Sequence, residues 1–87
     1  MGTDGVAGDR PIIAFADADP GETKVSARGT HALVRRGLDL SAVMTEAATA
    51  VGGEGGGHDV AAGATIPEGR EADFVERADA MVGEQLR

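Results

Sequence analysis

The chain has 87 residues and no cysteine, tryptophan or tyrosine. The missing thiols exclude disulfides and thiolate metal centres. Aromatic residues are limited to Phe15 and Phe74. Any core must therefore be filled by Val, Leu, Ile, Met and Ala, with both phenylalanines expected in it, and base stacking on exposed rings has little to work with. No apolar run approaches the roughly 20 residues of a membrane span, and no charged start precedes an apolar stretch, so neither a transmembrane helix nor a signal peptide is read. A cytoplasmic protein is the expectation. Lysine is almost absent as well: Lys24 stands alone among eight basic residues, against 15 acids, for a formal charge of −7. An acidic, lysine-poor, alanine- and glycine-rich chain fits a proteome adapted to high salt, where screening tolerates net negative charge. Stability that does not rise in molar KCl would count against that reading.

The size is that of one small domain or a piece of a larger protein. Residues 1–10, "MGTDGVAGDR", are polar, glycine-rich and aperiodic, and are expected to be a loose leader or an artificial start. "PIIAF" at 11–15 fits a buried strand with Pro11 at its first position, where no ladder donor is needed. "ADADPGE" at 16–22 supplies turn chemistry through Pro20 and Gly21. "TKVSAR" at 23–28 alternates, with Val25 and Ala27 on one face and Lys24, Ser26 and Arg28 on the other. A helix is expected over about 40–51, where Leu40, Val43, Met44, Ala47 and Val51 recur at helical spacing. Asp39 or Ser41 can cap it, and Gly52 and Gly53 end it. "AAGATI" at 61–66 reads as a third strand stopped by Pro67. A second helix spans about 70–86, with Phe74, Ala78, Met81, Val82 and Leu86 on one face and an Asp73–Arg77 pair at i,i+4. The order β-β-α-β-α implies an α/β fold, a small mixed sheet flanked by helices, with no internal repeat.

Two features can carry chemistry. The first is charge layout. No acid lies between Glu22 and Asp39, and that window holds Lys24, Arg28, Arg35, Arg36 and His31. Its formal charge is +4, leaving −11 for the remainder. A local basic zone in an acidic chain is where a phosphate binds, unless these charges simply pair with nearby acids. The second is the glycine cluster in "VGGEGGGHDVAAGATI", residues 51–66. A flexible linker is the ordinary meaning of such a run. Here it is flanked at once by periodic helix and strand, it leads directly into His58, and Gly63 follows inside a strand, where glycine marks close approach of a backbone or a ligand. Gly55, Gly56 and Gly57 are thus expected in a ligand-facing loop. The spacing fails the dinucleotide fingerprint, and no Lys-Ser/Thr pair follows as a phosphate-binding loop requires. His31 and His58 form no spaced metal-ligand motif, and no Ser or Thr has a nucleophile's setting. His58 is left with a recognition role.

On "VSAR" at 25–28, "GLDLSAVM" at 37–44 and "GGEGGGHDVAAGATI" at 52–66, the chain resembles the DHH-associated domain. This is the C-terminal module of the DHH phosphoesterases, whose members include RecJ-type single-strand exonucleases, oligoribonucleases and cyclic-dinucleotide hydrolases. The resemblance covers about 11–86 and is nearest to archaeal RecJ-like proteins. It implies that residues 11–87 are the substrate-binding part of a larger enzyme. Ser26 and Arg28 match the family's Ser-x-Arg strand; Gly55, Gly56, Gly57 and His58 match its glycine-histidine loop, with Ala62 and Gly63 continuing it. Lys24, Arg35 and Arg36 would be auxiliary phosphate contacts. The Asp-His-His motif and the manganese ligands belong to an upstream catalytic domain, so no catalytic residue, metal site or cofactor is expected in this chain. Single-stranded nucleic acid or a nucleotide is the implied ligand. The family's module carries further strand and helix before "PIIAF"; a second copy could replace them, giving a homodimer. The alternative from another class is a small interaction or assembly module whose glycines serve only helix-on-sheet packing. An autonomous hydrolase is the weakest reading.

Overall fold

The computed structural model describes residues 10–87, and the expected leader lies, apart from Arg10, outside the described residues. Seven elements follow one another: β1 (Ile12–Asp17), β2 (Glu22–Arg28), α1 (His31–Arg35), α2 (Leu40–Ala50), β3 (Glu54–Gly57), β4 (Ala61–Pro67) and α3 (Glu71–Gln85). The α/β class is as expected, but the five-element order gains the short helix α1 and the strand β3. The sheet runs β1-β2-β4-β3, and all three pairings are antiparallel. The glycine stretch expected as a loop is therefore half strand: Glu54–Gly57 pairs with Ala62–Thr65, and the loop proper begins at His58.

Alternation in β2 divides the sheet into two faces. Thr23, Val25 and Ala27 are buried, whereas Lys24, Ser26 and Arg28 are exposed. On β4, Ala64 and Ile66 join the buried side. The helices cover this side, with Leu40, Val43, Met44, Ala47 and Ala48 of α2 and Phe74, Ala78 and Val82 of α3 all buried. Each fully buried Leu, Val, Met or Phe contributes about 1.5–3 kcal/mol, more than the roughly 1 kcal/mol of a helix cap, so burial decides where the helices lie and caps decide where they end. The Asp39 carboxylate accepts from the Ser41 and Ala42 amides at 3.1 and 3.4 Å. At the other end of α2, Gly53 N–H donates to Ala48 O and Gly52 N–H to Thr49 O, with Gly52 at φ +91°. That pair of bonds closes a helix at a residue only glycine adopts easily. The Gln85 side chain clasps the backbone of Asp39 at N–H and C=O, tying the end of α3 to the start of α2.

Three expectations change. β1 is an exposed edge strand, not a buried one: Ile12 is 60% and Phe15 41% exposed, and only Phe74 of the two phenylalanines is buried. The rings still meet edge to face, with centroids 6.3 Å apart. Ile12 is in register with Arg28 and so lies on the uncovered face, and Phe15 stands on an edge strand with no neighbour beyond it among the described residues. Asp73 pairs backward with Arg70 at 3.1 Å, instead of forward with Arg77, because Arg70 sits just before the helix where its side chain reaches the first turn. Pro67 closes β4 from within, as its last residue. Among the described residues no helix is long and apolar enough to cross a membrane.

Candidate functional site

The uncovered face of the sheet gathers five of the eleven residues picked out from the sequence: Lys24, Ser26, Arg28, Gly56 and Gly63. Ser26 lies in register with Gly63, and Gly63 with Gly56, so three residues with almost no side chain form one row across β2, β4 and β3. Two strand spacings make this floor about 10 Å wide. The next row is Lys24, Thr65 and Glu54. A shallow depression of about 380 Å³ is lined by Lys24, Glu54, Gly56, Gly63 and Thr65 among others. Arg28 projects from the same face as Lys24, about 13 Å further along β2. Ala62 faces the helices and packs against the core, so it is not part of this surface.

The glycines separate into two kinds. A Cβ on Gly55 would stand 2.5 Å from the Met44 carbonyl oxygen, and one on Gly53 2.2 Å from that of Thr65. Gly57 has φ +143°, and a Cβ there would lie 2.6 Å from Ala62 Cα. Real Cβ contacts do not approach so closely, so these three glycines are required by the packing of β3 against α2 and β4. Gly56 differs: its nearest neighbour would be the Thr45 hydroxyl at 3.9 Å. Gly63 is intermediate, with Val25 O at 3.0 Å. The fold thus explains Gly53, Gly55 and Gly57, and leaves Gly56 as open space on the uncovered face.

His58 begins the turn between β3 and β4, and its amide donates to Ala61 O at 2.8 Å. Asp59 O accepts from the Leu40 amide at 2.9 Å and Val60 O from the Gly29 amide at 2.8 Å. The turn is therefore pinned to the start of α2 and to the residue after β2. Arg28, in register with Ala61, stands at the same end of the sheet as His58. The His58 and Arg28 side chains are exposed. Arg35 and Arg36 are exposed too, at the end of α1, and do not line the depression. The ion pairs among the described residues are Arg10–Asp79 and Arg70–Asp73, so Lys24, Arg28, Arg35 and Arg36 have no acid partner there.

A larger groove of about 600 Å³ runs between α2 and α3. Glu46, Asp73, Glu76 and Glu84 line it against Arg70 and Arg77, and Arg70 is already paired. A phosphate would meet net repulsion there, so the smaller depression is the better anion site. Glu54 and Thr65 were not singled out from the sequence. Reading Glu54–Gly57 as a strand would have found them, because alternation puts Glu54 and Gly56 on one face.

The Thr23 hydroxyl donates to the Glu71 carboxylate at 2.7 Å, and the Gly69 amide donates to its other oxygen at 3.0 Å. The Thr23 hydroxyl first, then the residue's own amide and that of Gly69, hold the Glu71 carboxyl below the usual glutamate value. The contact anchors the start of α3 to the buried edge of β2 and belongs to stability. Among the described residues no three His, Asp or Glu side chains converge as metal ligands would.

The family model for the DHHA1 domain matches residues 7–84. The chain belongs to the DHHA1 domain family. An uncharacterized protein of Methanocaldococcus jannaschii is 46% identical over 79 residues, which covers 91% of this chain but 18% of that protein. The DHHA1 domain described here thus spans about a fifth of the relative it matches. As a DHHA1 domain it is of the kind associated with DHH phosphoesterases, and such a domain typically sits beside a DHH domain in a larger protein.

Proposed function

We propose that this DHHA1 domain holds the phosphate backbone of a single-stranded nucleic acid or nucleotide, for a RecJ-like phosphoesterase whose upstream DHH domain carries out manganese-dependent phosphodiester hydrolysis. The supporting observation is that Lys24, Ser26 and Arg28 share the uncovered face, without acid partners among the described residues, beside a floor of small residues. Arg28 pairs with a phosphate and Ser26 donates to it. His58, at the same end, donates to phosphate or sugar, and Lys24 extends the track. Gly55 and Gly57 act by shaping β3, whereas Gly56 and Gly63 face the ligand. On this reading the domain by itself hydrolyses nothing.

The test is titration of a short labelled oligonucleotide against the wild type, Arg28→Ala and His58→Ala at low salt. Weaker binding by both variants is expected, since sequence-independent affinity comes from phosphate contacts. Equal binding by all three would remove the assignment. A second reading, a protein-interaction module with purely structural glycines, draws on the close contacts at Gly53, Gly55 and Gly57. Chemical-shift changes on adding a mononucleotide that scatter away from 24–28 and 54–63 would favour it.

A further inference from the structure

The uncovered face carries two acids, Glu22 at the start of β2 and Glu54 on β3, beside the cations Lys24 and Arg28. Glu54 lies in register with Thr65, and Thr65 with Lys24, so the carboxylate and the ammonium flank one depression from opposite sides. They do not form an ion pair with each other. Glu54 is exposed and stands on the outer strand of the sheet, at the far side of the Ser26–Gly63–Gly56 floor from β2.

Resting on the reading above, we propose that Glu54 is a specificity-determining residue that accepts hydrogen bonds from the edge of a nucleobase lying across Gly63 and Gly56. The argument is one of charge and distance. Lys24 and Arg28 stand on β2 with Ser26 between them, so the phosphates follow that part of the strand, clear of Glu22 at its start. A phosphate over β3 would meet the Glu54 carboxylate and be repelled. Bases on such a backbone can lie over β1 or across β4 toward β3; the depression is on the β4–β3 side, lined by Gly63 and Gly56, and the bases are assigned to it. The floor there is about 10 Å wide and carries no large side chain, so a flat ring fits it. Gly56 has unfilled space above its Cα that nothing in the fold demands.

No aromatic ring is available for stacking on this face: Phe15 lies on the helix side, against the buried Phe74. Discrimination must come from polar groups around the floor. A carboxylate only accepts, so it selects bases that present donors. Guanine offers two adjacent N–H donors on its pairing edge and fits both carboxylate oxygens. Cytosine and adenine offer one amino group. Thymine offers a single ring N–H between two carbonyls that the carboxylate repels. The expected order is guanine, then cytosine and adenine, then thymine.

The experiment uses 5′-phosphorylated trinucleotides of G, C, A and T and an abasic trinucleotide, titrated by NMR shift changes into wild type, Glu54→Ala, Glu54→Gln, Gly56→Val and Arg28→Ala. The wild type should prefer guanine over thymine by about three- to tenfold, the low end for a bidentate base contact because Glu54 is exposed. Both Glu54 variants should bring that ratio close to one. Gly56→Val should weaken the four base-bearing probes and spare the abasic one. Arg28→Ala should weaken every probe by a common factor and keep the ratio. An unchanged guanine-to-thymine ratio in Glu54→Ala overturns the proposal. So does a uniform gain for all probes, abasic included, since Glu54 would then only repel phosphate. Failure of the wild type to bind any probe removes the underlying phosphate-binding reading, whereas binding without base preference removes this inference alone.

Discussion

Gly55 and Gly56 are neighbours in sequence and opposites in role. Gly55 faces the helices, where a Cβ would collide with the Met44 carbonyl; Gly56 faces solvent, where a Cβ would meet almost nothing. The same contrast runs across the sheet. The covered face is filled by Val25, Ala27, Ala64 and Ile66 against α2 and α3, and it holds the molecule together. The uncovered face carries the glycine floor and cations that form no ion pair among the described residues. One strand thus serves two ends, and the alternation of its residues keeps them separate.

The sharpest way to break the comparison is to place the same side chain at both positions. Gly55→Val should cost about 3 kcal/mol or more, because backbone, not a flexible side chain, must give way. For a domain of this size that lowers the melting midpoint by about 12 °C or more. Gly56→Val should leave the midpoint near the wild-type value and weaken nucleotide binding. Equal midpoints for the two variants would dissolve the distinction between the faces. On the uncovered side, Arg28→Ala should reduce the slope of log affinity against log salt by about 1, as loss of one phosphate contact does, with melting unchanged. Within the covered layer, Asp39→Ala removes the cap of α2 and should cost about 1 kcal/mol in denaturant unfolding, with oligonucleotide binding preserved.

The smallest effect concerns acid. The Glu71 carboxyl is held below its unfolded value by Thr23, its own amide and Gly69, so its ionised form stabilises the fold. That contribution is complete above the ordinary glutamate value and fades as pH falls through the lower folded-state value. Glu71→Gln should flatten this acid limb of the stability-pH curve while leaving binding at neutral pH unchanged. A curve with the wild-type slope would mean that other carboxylates carry the acid response.

The helices were legible because periodicity, a cap residue and terminal glycines agreed. Asp39, Leu40, Val43, Met44, Ala47 and Gly52–Gly53 fall where the pattern puts them, Val51 is buried at the cap, and Ala48 is a buried position the pattern did not name. The face carried by Lys24, Ser26 and Arg28 was equally plain from alternation in β2. β3 was hidden because three of its four residues are glycine, with no side chains to alternate. Its strand character comes from pairing with β4, a tertiary effect that local composition does not carry. α1 was missed because it spans only five residues, held by the Thr30 cap and by the Gly37 turn, where φ is +120°. Phe15 misled because an apolar run reads alike in a central strand and at an edge; only the strand order shows that nothing pairs beyond β1 among the described residues.

The pairing pattern also bears on how the molecule assembles. β1 and β2 form one hairpin and β3 and β4 another, each closing within a few residues of chain. Only the β2–β4 ladder joins segments far apart, from Arg28 against Ala61 to Glu22 against Pro67. Hairpins form in about 1–10 μs, whereas the longer closure must first overcome the chain entropy of the segment holding α1 and α2. The β2–β4 seam is therefore the step that sets the folding rate. Core substitutions along it, such as Val25→Ala, should slow folding, whereas Ile12→Ala at the outer edge should mainly change the rate of unfolding.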